Sequence, residues 1–282
     1  MAKATMEDVA RLAGVNKATV SRALRGDSRI SQTTREKVWK SAKELGYRLD
    51  LAASTLSGGK TGIAALALEE MDPWLTGPFL EGLNRVLSRS GLDLLLKLPG
   101  FHPGELFSTL EARHVDCILW AGTGERCIEP RKAVSSIPMV TAGFSLPQKP
   151  SVLISPERTI ERLKMLAGST RALRYRAGCG ILLFPFLSRM IEPWEKGEKG
   201  VFSVIDGEDQ PVLDDHQGVF CTRGGTHPPR GMHSLEWPAF EFGVTAARIL
   251  VNVLQGQAPI PEITYLVPAL KSPEGEPLPY IK

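Results

Sequence analysis

Between Gly62 and Ser145 the chain repeats one pattern, in which short apolar runs alternate with longer amphipathic stretches. The runs are GIAALAL, LDLLLKL, VDCILWAG and IPMVTAGFS. The stretches are PFLEGLNRVLSRSG and a segment from about Pro103 to Arg113, and MDPWLTG reads as a loop. Runs this short and this apolar lack a polar face, so each must be buried on both sides, and a sheet covered by helices on both faces does that. The order predicts βαβ units and a parallel, doubly wound sheet.

The residues before Gly62 follow a different rule. Residues 1–60 carry 12 Lys and Arg against 6 Asp and Glu, while the remainder carries 22 against 25, so the positive excess sits in the head. A compact basic head on a mildly acidic body points to a polyanionic partner for the head, or to a solvated surface. Thr5 and Asp8 have capping-box spacing, and Met6, Val9, Ala10 and Ala13 make one apolar helical face that Gly14 ends. Asn16 is a good N-cap for a second helix from Lys17 to about Leu24. In that helix Val20, Ala23 and Leu24 face inward, leaving Lys17, Ala18, Ser21, Arg22 and Arg25 outside. Ser31 caps a third helix whose stripe reads Val38, Ala42 and Leu45, with Gly46 as its stop. Two short helices joined by Gly14, Val15 and Asn16 form a helix-turn-helix, whose second helix is small, polar and basic on its outer face.

LAASTLSGGKTG, at residues 51–62, contains the GK[ST] ending of a phosphate-binding loop. That loop needs a first Gly separated by four residues from the Gly-Lys pair, a buried strand before it and a helix after it. Ser54 stands at the first Gly, the preceding segment is polar, and an apolar strand-like run follows. The segment reads instead as a connection between head and body.

MEDVARLAGVNKATVSRALRG, SRISQTTREKVWKSAKELGYR and LDLAASTL together resemble the head of the LacI/GalR family of bacterial transcription regulators. The resemblance implies a sequence-specific DNA-binding regulator, most simply a homodimeric repressor on a pseudo-palindromic operator of double-stranded DNA. It implies that Lys17, Ala18, Thr19, Ser21 and Arg22 face bases and phosphates, with Thr5 and Tyr47 as phosphate contacts. A hinge helix would place Leu56 as a minor-groove wedge, with Ala53 one turn earlier. Leu49 and Asp50 stand where the family usually has Pro and Asn, so the hinge starts differently here. The implied organisation is a helix-turn-helix domain at residues 1–46, a hinge helix and linker at 47–60, and an effector-binding and dimerisation domain at 61–282.

For the body the resemblance implies an α/β periplasmic-binding-protein-like sensor of two lobes, with SVLISP crossing to the second. Phe79 and Trp74 are candidates to line a small-molecule effector pocket, and ordinary packing is the competing role for both. WPAFEFGVTAARILVNVLQGQAPI matches the family's late helix, but the second lobe is expected to be shortened and divergent. Between Ser155 and about Gly225 the family's usual pocket residues find no counterpart, and VFSVIDGEDQP and GVFCTRGG compete as the remnant of its last strand. Control therefore reads either as a small molecule in the interlobe cleft or as an eroded pocket with constitutive or protein-partner control.

Other readings are weak. Cys117, Cys127, Cys179 and Cys221 form no CxxC pair, so they suggest buried thiols. Asp214, Asp215, His216, His227 and His233 match no standard metal spacing. AGFSLP around Ser145 lacks the second Gly of a nucleophile elbow. No enzyme activity, cofactor or metal is expected, and an enzyme with a fused DNA-binding head is the remote alternative. Neither an apolar leader nor a membrane-length apolar run is present, so a cytoplasmic protein without membrane contact is expected.

Overall fold

The computed structural model describes residues 4–24, 27, 29–47, 60–69, 73–98, 103–122, 136–168, 171–177, 184, 186–195, 201–206, 218–222, 228 and 231–279. The side chains of 73–75, 103, 104 and 177 are also outside that description. The chain divides into two compact units, Met1–Thr61 and Gly62–Lys282.

In the first unit the described residues form helices α1 (Met6–Ala13), α2 (Lys17–Leu24) and α3 (Gln32–Glu44). Their shared core is Val9, Ala10, Val20, Ala23, Val38 and Ala42, with Met6, Ala13, Val15, Leu24, Ile30 and Tyr47 packed around it. One expectation fails here. Leu45 is 37% exposed, because the helix ends at Glu44 and the helical period no longer aims the next side chain inward; Ser41 is buried and Tyr47 turns in instead.

The second unit opens with β1 (Ile63–Leu68), α4 (Pro73–Leu87), β2 (Asp93–Lys97), α5 (Pro103–Ala112), β3 (Cys117–Ala121), β4 (Met139–Ala142) and β5 (Ser151–Ile154). It continues with α6 (Pro156–Ala167), β6 (Leu173–Ala177), the one-turn α7 (Leu187–Met190), β7 (Phe202–Asp206), β8 (Gly218–Thr222) and β9 (His233–Glu236). Helix α8 (Ala239–Gln255) and strands β10 (Ile263–Leu266) and β11 (Ala269–Lys271) complete it. MDPWLTG, read as a loop, is partly helical: α4 starts at Pro73 and runs through Pro78. Pro at the start of a helix gives up an N–H that has no partner there, so Pro73 opens the helix rather than breaking it.

A six-stranded sheet runs β10-β5-β4-β3-β1-β2, every pair parallel. Period-2 alternation divides its buried residues cleanly. Ala64, Leu66, Leu119 and Val140 enter the larger core, while Ala65, Ala67, Ile118 and Met139 face Leu106, Phe107 and Leu110 of α5. Trp120 sits on that second face, edge-on between Phe107 and Phe144 at 5.7 and 5.4 Å.

The second sheet runs β11-β9-β8-β7-β6, parallel except for β11 against β9. The chain passes between the sheets three times, from β5 into α6, from β9 into α8 and from β10 to β11. VFSVIDGEDQP and GVFCTRGG therefore both supply strands, the adjacent β7 and β8. Among the described residues no helix is long and apolar enough to cross a membrane.

Candidate nucleic-acid interface

The head holds its second helix out through local hydrogen bonds. The Thr5 hydroxyl accepts from the Asp8 amide at 3.3 Å and donates to the Asp8 carboxylate at 2.6 Å, while the Thr5 amide donates to that carboxylate at 3.0 Å, closing a capping box. Gly14 adopts a left-handed φ of 68°, which turns the chain after α1. Asn16 Oδ1 then accepts from the Thr19 amide at 2.7 Å and caps α2. Val20 and Ala23 are fully buried against α1 and α3, with Leu24 packed beside them, so the opposite face of α2 points outward. Lys17, Ala18 and Arg22 are exposed, and Thr19 and Ser21 are half-buried at the edges of that face.

The turn into α3 carries residues that sequence reasoning missed. Arg29 grips the Asp27 carboxylate with Nε at 3.0 Å and Nη2 at 2.7 Å, and this pair holds the Asp27 carboxyl well below its ordinary range. The Asp27 amide donates to the Arg22 carbonyl at 3.0 Å, and Arg35 reaches back to the carbonyls of Asp27 and Ile30 at 3.2 and 3.3 Å. Arg22 is thus tied through the backbone of its own helix to α3. The DSR triplet at 27–29 was the available signal. Ser31 caps α3 by accepting from the Thr34 amide at 3.3 Å.

The Thr5 side chain caps α1, and Tyr47 packs half-buried against the head core. Ala53 and Leu56 lie outside the described residues.

In the body, Phe79 is 8% exposed and belongs to the main core, where α4 meets α8. The Trp74 side chain is outside the description. Two acidic groups that sequence reasoning did not single out stand at carboxyl ends of strands, the edge where such folds bind ligands. Glu69 follows β1, is 1% exposed and lies against Gly122; Asp206 ends β7, is wholly buried and accepts from the Phe184 amide at 2.7 Å. Near Asp206, burial and then its charge push up the Tyr175 hydroxyl and the Cys221 thiol. Among the described residues no group of three or more His, Cys, Asp or Glu could hold a metal ion; Asp214, Asp215, His216 and His227 lie outside them.

A helix-turn-helix head followed by a body of two parallel α/β lobes, with three chain crossings between them, defines the class. Residues 5–50 match the model for bacterial regulatory proteins of the lacI family, so the head is similar to the DNA-binding head of those regulators. The HTH-type transcriptional regulator CelR of Thermobifida fusca is 37% identical over 123 residues, 41% of this chain and 36% of that protein. The maltose regulon regulatory protein MalI of Escherichia coli K12 is 34% identical over 146 residues, 50% of this chain and 42% of that one. The chain thus spans less than half the length of the curated relatives it matches. A lac repressor dimer bound to operator and the anti-inducer ONPF superposes with a TM-score of 0.67 at 19% identity, over 95% of this chain and 98% of that one. At that identity the likeness speaks for the fold.

Proposed function

We propose that the protein is a cytoplasmic, sequence-specific transcription regulator, a repressor that acts as a homodimer on a pseudo-palindromic DNA operator. One observation carries this reading: α2 is anchored by Val20 and Ala23 while Lys17, Ala18 and Arg22 stand exposed on its outer face. Small residues beside a guanidinium allow the helix to enter a major groove, where Arg pairs with guanine through two hydrogen bonds. One such helix makes few base contacts, so two protomers reading two half-sites supply the specificity. Tyr47 serves as a backbone contact at the margin of this surface. Thr5 joins it only when a phosphate displaces the Asp8 carboxylate from its hydroxyl. Leu56 acts as the minor-groove wedge of a hinge helix, with Ala53 one turn earlier, and Leu56→Ala should abolish operator bending while sparing weak, salt-sensitive binding.

The cleft between the lobes is the place for a small-molecule effector, with Phe79 and Trp74 as lining candidates. The relatives' names call those proteins transcription regulators and, in one case, an operon repressor, and no catalytic role is assigned to this one. The test is selection of binding sites from random duplex DNA with the purified full chain, followed by affinity against rising salt. A two-fold symmetric consensus bound on the order of 10³-fold or more tighter than random DNA is the expected result. Equal affinity for all sequences would overturn the proposal.

A further inference from the structure

Four aromatic rings make successive contacts from the second lobe into the first. Phe186 meets Phe184 edge-on at 6.0 Å, Phe184 meets Trp237 at 5.3 Å, and Trp237 meets Phe242 at 5.5 Å. Phe184 and Phe186 immediately precede α7 beside the second sheet. Trp237 lies on the crossing from β9 to α8, and Phe242 belongs to α8, which packs on the first sheet. Ring pairs at these separations contribute beyond the area they bury, and each pair has a preferred geometry.

The backbone under the rings is also fixed. Asp206 accepts the Phe184 amide at 2.7 Å, and Thr222, at the end of β8, accepts the Trp237 amide at 3.0 Å. Ala239 donates to the Trp237 carbonyl at 2.9 Å, which ties the crossing to the first turn of α8. A carboxylate at the carboxyl end of a strand is well placed to meet a ligand in this kind of fold. Here that group is wholly buried and hydrogen-bonded to the chain's own Phe184. A buried carboxylate is costly unless satisfied, so its place beneath the ladder makes the ladder a built feature of the body.

We infer that the Phe186, Phe184, Trp237 and Phe242 ladder is an internal lock that sets the angle between the lobes without a ligand. The protein is therefore competent for its operator by default, and release requires the ladder to break. A ligand shifts a two-state body only by its differential affinity for the two states, and the ladder adds its own stability to one of them. This inference rests on the DNA-binding reading for its first readout and is independent of it for its second.

The experiment compares the full-length wild type with Phe184→Leu, which keeps most of the volume but removes the ring, and with Trp237→Phe, which keeps an aromatic rung. Operator affinity and the calorimetric transition of the body are measured for each. Phe184→Leu should weaken operator binding by about tenfold, within the usual range for coupling between sites, and leave non-specific binding at low salt unchanged. Trp237→Phe should stay within about twofold of wild type on the same scale. Operator affinity unchanged in Phe184→Leu, or lost equally in both variants, would overturn the lock. If the wild type shows no sequence preference, the DNA reading falls and the calorimetry decides the lock alone. A body transition that splits in Phe184→Leu then supports it, and one that stays single refutes it.

Discussion

Gly82 on α4 and Gly243 on α8 pack reciprocally, each pressed against a backbone carbonyl of the opposite helix. A Cβ on Gly82 would overlap the Phe240 carbonyl oxygen and stand 3.1 Å from the Val244 nitrogen. One on Gly243 would overlap the Phe79 carbonyl oxygen and stand 2.9 Å from the Leu83 nitrogen. A helix-interior glycine costs stability relative to alanine, so these two are explained by the closeness of the crossing. Gly82→Ala should therefore destabilise the body by about 1–3 kcal/mol, since the atoms it meets are backbone and cannot rotate away. The melting temperature of Gly82→Ala should fall below that of the wild type; an equal or higher value would refute the packing argument.

Arg22 is exposed on α2, and its carbonyl is held by the Asp27 amide. Arg22→Ala should cost about 1–3 kcal/mol on the preferred site and relax one base position in each half-site. The check is affinity against a panel of single-base operator variants. An equal loss for every sequence would make Arg22 a phosphate contact.

Asn16 supplies the α2 cap through a 2.7 Å bond to the Thr19 amide. Asn16→Ala should lower head stability by about 1 kcal/mol, and Asn16→Asp or Asn16→Ser should retain most of it. Chemical denaturation followed by helical circular dichroism reads this directly. Equal stability of the alanine and serine variants would show that the cap carries nothing.

His233 on β9 is half-buried, with its ring 6.4 Å from that of Phe202. Burial holds its pKa below the ordinary 6.5, against upward pulls from the Gly218 backbone and Glu274. The unfolded chain therefore takes up this proton first as pH falls. The stabilising contribution is complete above 6.5 and is lost as the pH drops below it. The body should melt at a lower temperature near pH 5.5 than near pH 7.5, and His233→Gln should flatten that part of the profile. An unchanged slope in the variant would assign the pH dependence elsewhere.

The head was legible because its determinants are local. Caps at Asn16 and Ser31, the left-handed turn at Gly14 and the stripe of Met6, Val9, Ala10 and Ala13 all act within one or two helical turns. The strands of the first lobe were legible because burial on both faces leaves unbroken apolar runs. The second lobe hid its edge strand: in LRYRA, Arg174 pairs with Glu192 at 2.9 Å and Arg176 lies 4.7 Å over the Trp194 ring, so a charged run forms a strand through partners far along the chain. The start of α4 was obscured by Pro73, Gly77 and Pro78, which read as breakers until the first is recognised as a helix opener. The aromatic ladder was invisible for the same reason as Arg174, because Phe184 and Trp237 become neighbours only through tertiary packing.

Strand β10 completes the first sheet beside β5, although strands β6 to β9 of the second sheet come between them in the chain. During synthesis the edge of β5 therefore waits, unpaired, until residues 263–266 have left the ribosome. An open parallel edge is a template for wrong partners, so the nascent body is exposed to misassembly while residues 155–262 are being made. The two lobes mature together, and a ribosome that stalls after α8 releases two unfinished sheets instead of one sound lobe.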